Sequence, residues 1–475
     1  MDDHQLLSLA LLTSSHILIH FLLLASCSVN TFVSQVVRRK QTQAAGYKRD
    51  GLTIYLHTNS TPHRRTISIS NLTEDDNIAT MAFNTALGVI LLALLSPFIY
   101  ERAQTLSLFF TNAPHRLAKV NTFTSHEVRF ADRIRSCEDI LLVESKGIAI
   151  AACDPGRERY NTVMPVENGK LYVFDYTTTG ASGDEALKQL KFVDFKVESD
   201  FHTLGMAYDE ATSILFVASH RHDHPAVEIK YTATHLLSIQ HPLIHGPNSI
   251  ALINDHEFYV TNDHFFVRRN HSILHQLETY LGAPGGSIVH VDFSPAIKDP
   301  AAPVQANVVA RVAFANGIEL LNETTAVVAS SGKATVHFFS ITTPESNDTL
   351  SSPVPKFTQI SKIRVPFAPD NLAVSKDDAL IIAGHPHFPS LGAFTKTRHI
   401  CNSPEELTKA DASMQETCRT LAAPSWAAKW TEAGGLETLY VDVEYPSSAT
   451  AARDSDRKMG VISGLYAKGI LVWKE

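Results

Sequence analysis

Asparagine and acidic side chains recur at the heads of apolar, β-prone runs through the last three quarters of this chain. They stand in Cys137-Glu138-Asp139-Ile140, Pro247-Asn248-Ser249-Ile250, Thr261-Asn262-Asp263-His264-Phe265-Phe266, Phe314-Ala315-Asn316-Gly317-Ile318 and Pro369-Asp370-Asn371-Leu372. Such residues are disfavoured inside strands. Their repeated placement where a strand begins implies strands gathered about a common centre, with oxygen ligands pointing into it. An all-oxygen donor set suits a hard cation, calcium first among them. Taken singly, the same residues also read as ordinary turn formers. A second constellation is His220, His222 and His224, which alternate and would share one face of a strand. Three such imidazoles can hold zinc or copper, but the interleaved Arg221 and Asp223 fit a solvated loop.

The elements that must position these residues are short strands. From about residue 120 the chain alternates runs such as Ile140-Leu-Leu-Val, Ile214-Leu-Phe-Val, Ser287-Ile-Val-His-Val and Leu380-Ile-Ile-Ala with Gly, Pro, Asp and Asn. Sustained helical periodicity is confined to 404–421, with Ser403 placed as a cap. About 350 residues at roughly 50–60 per four-stranded unit make about six blades. The expected fold is all-β, a six-bladed β-propeller over 120–475 with a hydrophobic N-terminal segment. A propeller brings the innermost strand of every blade to one tunnel, which the scattered motifs require.

The chain has 475 residues, 44% hydrophobic and 19% charged, the balance of a folded globular protein. Its net charge of -8 gives no sign of nucleic-acid binding. Five cysteines are too few for a disulfide scaffold. Cys137 and Cys153 bracket a strand pair, and Cys401 and Cys418 bracket a polar insertion, so each pair could either bridge or remain as thiols. Glycosylation sequons in the folded part stand at Asn270, Asn322 and Asn347. Together these lean towards the secretory pathway.

Two apolar stretches, about 6–25 and 86–100, precede the folded region, with a polar, basic segment between them. The second suits a signal or signal-anchor segment over 81–103, starting from Met81. Residues 1–80 are then a poorly structured extension that the native protein need not contain. If both stretches enter a membrane, the basic residues hold the intervening loop on the cytoplasmic side. Either arrangement puts the propeller on the lumenal or outer side, in contact with a lipid surface through its N-terminal segment.

The run Asn248-Ser-Ile-Ala-Leu-Ile to Phe258-Tyr-Val-Thr-Asn-Asp-His-Phe-Phe266 resembles the serum paraoxonase/arylesterase family. So do Cys137-Glu-Asp-Ile, Phe314-Ala-Asn-Gly-Ile, Pro369-Asp-Asn-Leu and Gly384-His-Pro, in order and at suitable spacings. The chain is identified as a divergent member. The resemblance implies a six-bladed propeller with calcium in its tunnel, acting on lactones and aryl esters. It also implies that Glu138, Asn248, Asn316, Asp370 and Asn371 hold the calcium that meets substrate. A second calcium would use Asp139 and the position of Ser249, where this chain lacks the family's acid. The family's His-Pro-His-Gly reads His202-Thr203-Leu204-Gly205 here, so the usual base is Leu204. His202 and His220 remain as the matched histidines and the expected catalytic residues, with His264, His385 and Leu204 expected on the tunnel wall. The expected activity is calcium-dependent hydrolysis of carboxylic esters or lactones. The alternative is a calcium-binding propeller without turnover, serving as a binding or membrane-associated module.

Overall fold

The computed structural model describes residues 70–159, 167–177, 186–196, 198–221, 225–231, 234–299, 302–344 and 353–475. The expectations for the first apolar stretch, for the basic segment, and for His222, His224 and Asn347 lie outside the described residues. Two compact units are present, Met1–Ile99 and Tyr100–Glu475. The described part of the first belongs to a helix that starts at Ser70 and runs on to Thr111, with Pro97 inside it. Phe83–Thr111 is long and apolar enough to cross a membrane. Phe83, Ile90 and Leu94 lie exposed along it.

The second unit is a six-bladed β-propeller: six antiparallel sheets, five of four strands and one of five. The innermost strands are Cys137–Val143, Thr203–Asp209, Pro247–Leu252, Ala315–Asn322, Ala368–Val374 and Ser448–Asp454. The ring is closed by exchange. Ser125–Arg129, which precedes the first blade, forms the outer strand of the last by pairing with Ile470–Lys474. Val120–Asn121 extends the fifth blade beyond Gly435–Asp442.

The core is a ring of apolar clusters between neighbouring blades rather than one central mass. Ala326 and Val328 face the third blade beside Tyr259 and Ile288. Val327 and Ala329, one residue out of phase, face the fifth beside Leu380 and Ile382. Side chains alternate faces along a strand, and here both faces are buried. This is why the strands read as continuous apolar runs instead of alternating ones.

Every innermost strand slips register at its head. The slips fall between Cys137 and Asp139, Thr203 and Met206, Pro247 and Ile250, Ala315 and Ile318, Pro369 and Leu372, and Ser448 and Thr450. A bulge of this kind breaks the pairing locally and re-aims side chains. Neighbouring strand heads also approach closely. A Cβ on Gly317 would stand 2.7 Å from the Leu372 nitrogen and 2.8 Å from the Asn371 Cα of the next blade. A Cβ on Gly205 would stand 2.4 Å from the Asn248 carbonyl oxygen.

Both cysteine pairs are disulfides, Cys137–Cys153 and Cys401–Cys418. The helical expectation over 404–421 is corrected in detail. Two helices form, Pro404–Lys409 and Ala412–Thr420, each with its own N-cap, Ser403 and Asp411. Asp411 accepts from the Met414 amide and starts the second helix, so the segment breaks at Ala410. A further helix, Ser272–Leu281, forms outside the one segment where the sequence shows helical periodicity. Its register is set from outside, because Glu278 accepts from the amides of Phe265 and Phe266.

Gly317→Ala should lower stability by about 1–3 kcal/mol, because backbone and not a flexible side chain stands in the way. Urea unfolding followed by circular dichroism measures this, and an unchanged midpoint would show that the strand heads can separate freely.

Candidate metal centre and tunnel

The slipped positions carry the polar residues picked out in the sequence. Glu138, Asn248, Asn316, Asp370 and Asn371 sit within the register breaks of four blades, and all five are buried. Buried polar atoms almost always find partners. Here Glu138 Oε2, Asn248 Oδ1, Asn316 Oδ1 and Asn371 Oδ1 have none.

The amide orientations follow from their neighbours. Ser331 Oγ donates to the Pro369 carbonyl, so it must accept from Asn316 Nδ2 at 3.1 Å. Asn371 Nδ2 meets Glu138 Oε1 at 3.1 Å and Thr450 Oγ1 at 2.9 Å. A carboxylate only accepts, so nitrogen faces it and Oδ1 points elsewhere. His385 Nε2 contacts Asp370 Oδ2 at 2.9 Å. Burial pushes the Glu138 carboxyl well above its usual range, against the pull of Arg157; the Asp370 and Asp139 charges push the same way as burial. Four partnerless oxygens and two close carboxylates fit a hard cation.

Asp139 is differently engaged. Its oxygens accept from the Ile140 and Met206 amides and from Thr450 Oγ1, at 2.7–3.0 Å, stitching the sixth, first and second blades together. Ser249 Oγ accepts from the Ile318 amide at 3.3 Å. The pair expected for a second calcium thus already serves backbone donors. Both line a cavity of about 130 Å³ further along the axis, together with Glu319. Sequence reasoning missed Glu319, although it lies three residues beyond Asn316 in a strand that otherwise reads as apolar. Burial and the Asp139 charge push its carboxyl up to about 8. Burial raises Asp139 itself to about 6.

The histidines separate by environment. His220 Nε2 contacts the Pro247 carbonyl at 2.8 Å, beside the Asn248 head. Burial lowers its pKa, partly offset by Asp263. His202 Nδ1 lies 3.3 Å from the Asp154 carboxylate. His264 is fully buried, with Nε2 at 2.7 Å from Thr279 Oγ1 and its ring against His275 and Phe314. Leu204 packs into the apolar cluster of Phe216, Ala218 and Ile250, so its side chain serves the blade interface. A cation the motifs did not announce is Arg157, in the 3-10 turn Pro155–Arg159, buried and donating to the Thr203 carbonyl at 2.6 Å.

A six-bladed propeller with a cage of buried oxygens at its strand heads defines the class. The chain belongs to the arylesterase family, whose model matches residues 137–407, more than half of its length. It is 26% identical over 265 residues to serum paraoxonase/lactonase 3 of Oryctolagus cuniculus, covering 53% of this chain and 66% of that one. It is 36% identical over 90 residues to serum paraoxonase/arylesterase 2 of Gallus gallus, covering 18% of this chain and 24% of that one. The matches therefore span less than two thirds of the length of these relatives. Among solved structures, a luciferin-regenerating enzyme matches with a TM-score of 0.40 and 11% identity over 75% of this chain and 96% of that one, too loosely to bear on function.

The raised carboxyls make a prediction about the metal-free protein. A folded-state pKa above the unfolded value means that the folded chain holds protons that the unfolded chain has released, so stability falls as pH rises through that window. With chelator present, acidification from pH 8 to pH 6 should raise the melting temperature, and Glu138→Gln should flatten that slope. An equal slope in both proteins would mean that Glu138 carries no buried charge strain.

Proposed function

We propose that the protein is a calcium-dependent hydrolase of carboxylic esters or lactones. The observation that supports this most directly is the set of partnerless buried oxygens on Glu138, Asn248, Asn316 and Asn371, with Asp370 beside them, in a member of the arylesterase family. Two carboxylates balance a divalent charge, and three amide oxygens add donors without further charge. Bound there, calcium would polarise the substrate carbonyl and offset the charge that grows on its oxygen.

The surrounding groups serve the same end. His385 contacts Asp370 and holds that carboxylate in direction. Half-buried and neutral near pH 7, His220 can donate from Nε2 to the Pro247 carbonyl and keep a lone pair on Nδ1 to take a proton from attacking water. His202, paired with Asp154, supports the strand that carries Leu204. We read the reaction as using one calcium, because the donors of Asp139 and Ser249 are engaged. The two disulfides, the exposed sequon residues Asn270 and Asn322, and the apolar helix support a lumenal or extracellular propeller tethered to a membrane. The burial of Leu204 in an apolar cluster, where the family places its base, favours a second reading: calcium binding without turnover.

Hydrolysis of phenyl acetate and of γ- and δ-lactones, with and without a calcium chelator, separates the two. Chelator-sensitive turnover is expected, and its absence on every substrate would leave only the binding reading. Asp370→Ala should remove both calcium binding and turnover; activity surviving with calcium bound normally would refute the ligand set. The general base must be unprotonated to act, and the His220 pKa lies below its ordinary 6.5. Activity should therefore persist below pH 6.5 and fall only under the depressed value. Loss of the acid limb's position in His220→Gln would tie it to this imidazole, whereas an unmoved limb would assign the base elsewhere.

A further inference from the structure

The Cys137–Cys153 disulfide ends one residue before Glu138 of the cage. Its half-cystines are neighbours already, because Cys137–Val143 and Ile148–Cys153 form an antiparallel pair joined by a short turn. In the folded chain, a bond at the open end of such a pair constrains little besides that end. The open end is where the register slips. Cys137 lies opposite Cys153 and Asp139 opposite Ala152, so Glu138 is the extra residue of the bulge. Among the six innermost strands, only this one carries a cysteine.

The faces of the strand show what the slip accomplishes. Ile140 and Leu142 pack with Ala452, Met459 and Val461 of the sixth blade. Leu141 and Val143 pack with Met206 and Leu215 of the second. Simple alternation would put Glu138 on the face of Ile140, inside an apolar cluster, and Cys137 on the other face. Instead Cys137 joins the cluster of Ile140, and Glu138 is released to meet Asn371 of the fifth blade. Moving the slip by one residue would reverse this assignment. The disulfide forbids the move, because Cys137 must stay opposite Cys153.

The flanking residues are held as well. Ser136 takes a left-handed conformation, φ 55°, which persists in a non-glycine residue only where the surroundings impose it. Its amide donates to the Ala467 carbonyl at 2.8 Å, and its carbonyl accepts from the Asp154 amide at 2.9 Å. On the other side, Asp139 is fixed by the amides of Ile140 and Met206. The Glu138 carbonyl accepts from Ser463 Oγ at 3.3 Å.

We infer that the Cys137–Cys153 bond is a positioning element for the metal: it locks the register slip, keeps Glu138 turned to the cage and so sets the affinity for calcium. This rests on the calcium-binding part of the proposed function. Cys401–Cys418 supplies the control. It joins the helices Arg398–Cys401 and Ala412–Thr420, in the insertion between the second and third strands of the fifth blade, and adjoins none of the proposed ligands.

The test is calorimetric titration of calcium into the full chain, into a variant with Cys137→Ser and Cys153→Ser, and into one with Cys401→Ser and Cys418→Ser. Circular dichroism checks that each is folded, and melting temperatures are taken in chelator. Losing the first bond should raise the calcium Kd by about 10–100-fold, the usual effect of removing a group that orients a metal ligand. Losing the second should leave Kd unchanged even where it lowers the melting temperature. A Kd unchanged in the first variant, with the melting temperature lowered, makes the bond a staple of the fold only and overturns the inference. An equal rise of Kd in both variants overturns it too. A parent that binds no calcium removes the metal reading, and the inference with it, an outcome distinct from normal binding that ignores the bond. Should the serine pair fail to fold, Cys137→Ala with Cys153→Val keeps the buried site apolar and nearly filled, and the same change in Kd decides.

Discussion

The slip of register at the head of each innermost strand is the constraint on which the site depends. A regular strand pairs its backbone continuously and turns alternate side chains into the spaces between blades. There an asparagine or glutamate would be buried without a partner at a cost of a few kcal/mol. The slip frees one or two residues per strand from that alternation. Glu138, Asn248, Asn316, Asp370 and Asn371 occupy those freed positions, while Ile140, Ile250, Ile318 and Leu372, next along, return to the apolar interfaces. One local distortion thus separates ligand positions from core positions within three or four residues.

That separation succeeds only because the strand heads are stitched to one another. Thr261 Oγ1 donates to the Asn316 carbonyl, Asp139 takes the Met206 amide of the next blade, and Thr450 Oγ1 bridges the sixth blade to the first. The closest approaches fall at Gly205 and Gly317, where a side chain would meet backbone. The amide groups of Asn316 and Asn371 are pinned through their nitrogens, leaving their oxygens directed and partnerless. A preset arrangement of this kind lowers the cost of organising donors around an ion. The same crowding sets the carboxyls of Glu138, Asp139 and Glu319 high, so the folded chain stores electrostatic strain along its axis.

Much of this was legible in the residues. The five polar motifs, the strand runs and their spacing led to a six-bladed propeller, and the motif order led to the arylesterase family. Both cysteine pairs were visible as candidates. Other features were not legible, each for a physical reason. The Ser272–Leu281 helix is anchored by Glu278 reaching amides a dozen residues away, a contact without local periodicity. The break at Ala410 depends on Asp411 capping a new helix within a run of good helix formers. Arg157 and Glu319 lie outside the motifs, in a turn and in mid-strand, and gain meaning from other blades, through the Thr203 carbonyl for Arg157 and the Asp139 charge for Glu319.

The class of fold and the residue types able to meet a hard cation follow from the chain's local pattern, because strand heads and hydrophobic runs are local in the chain. Tertiary structure alone decided which oxygens are left without partners, that Leu204 belongs to an apolar interface, and that a guanidinium stands near the cage. Those outcomes depend on how six blades, far apart in sequence, set their bulged strand heads side by side, and no local pattern of residues encodes such distances.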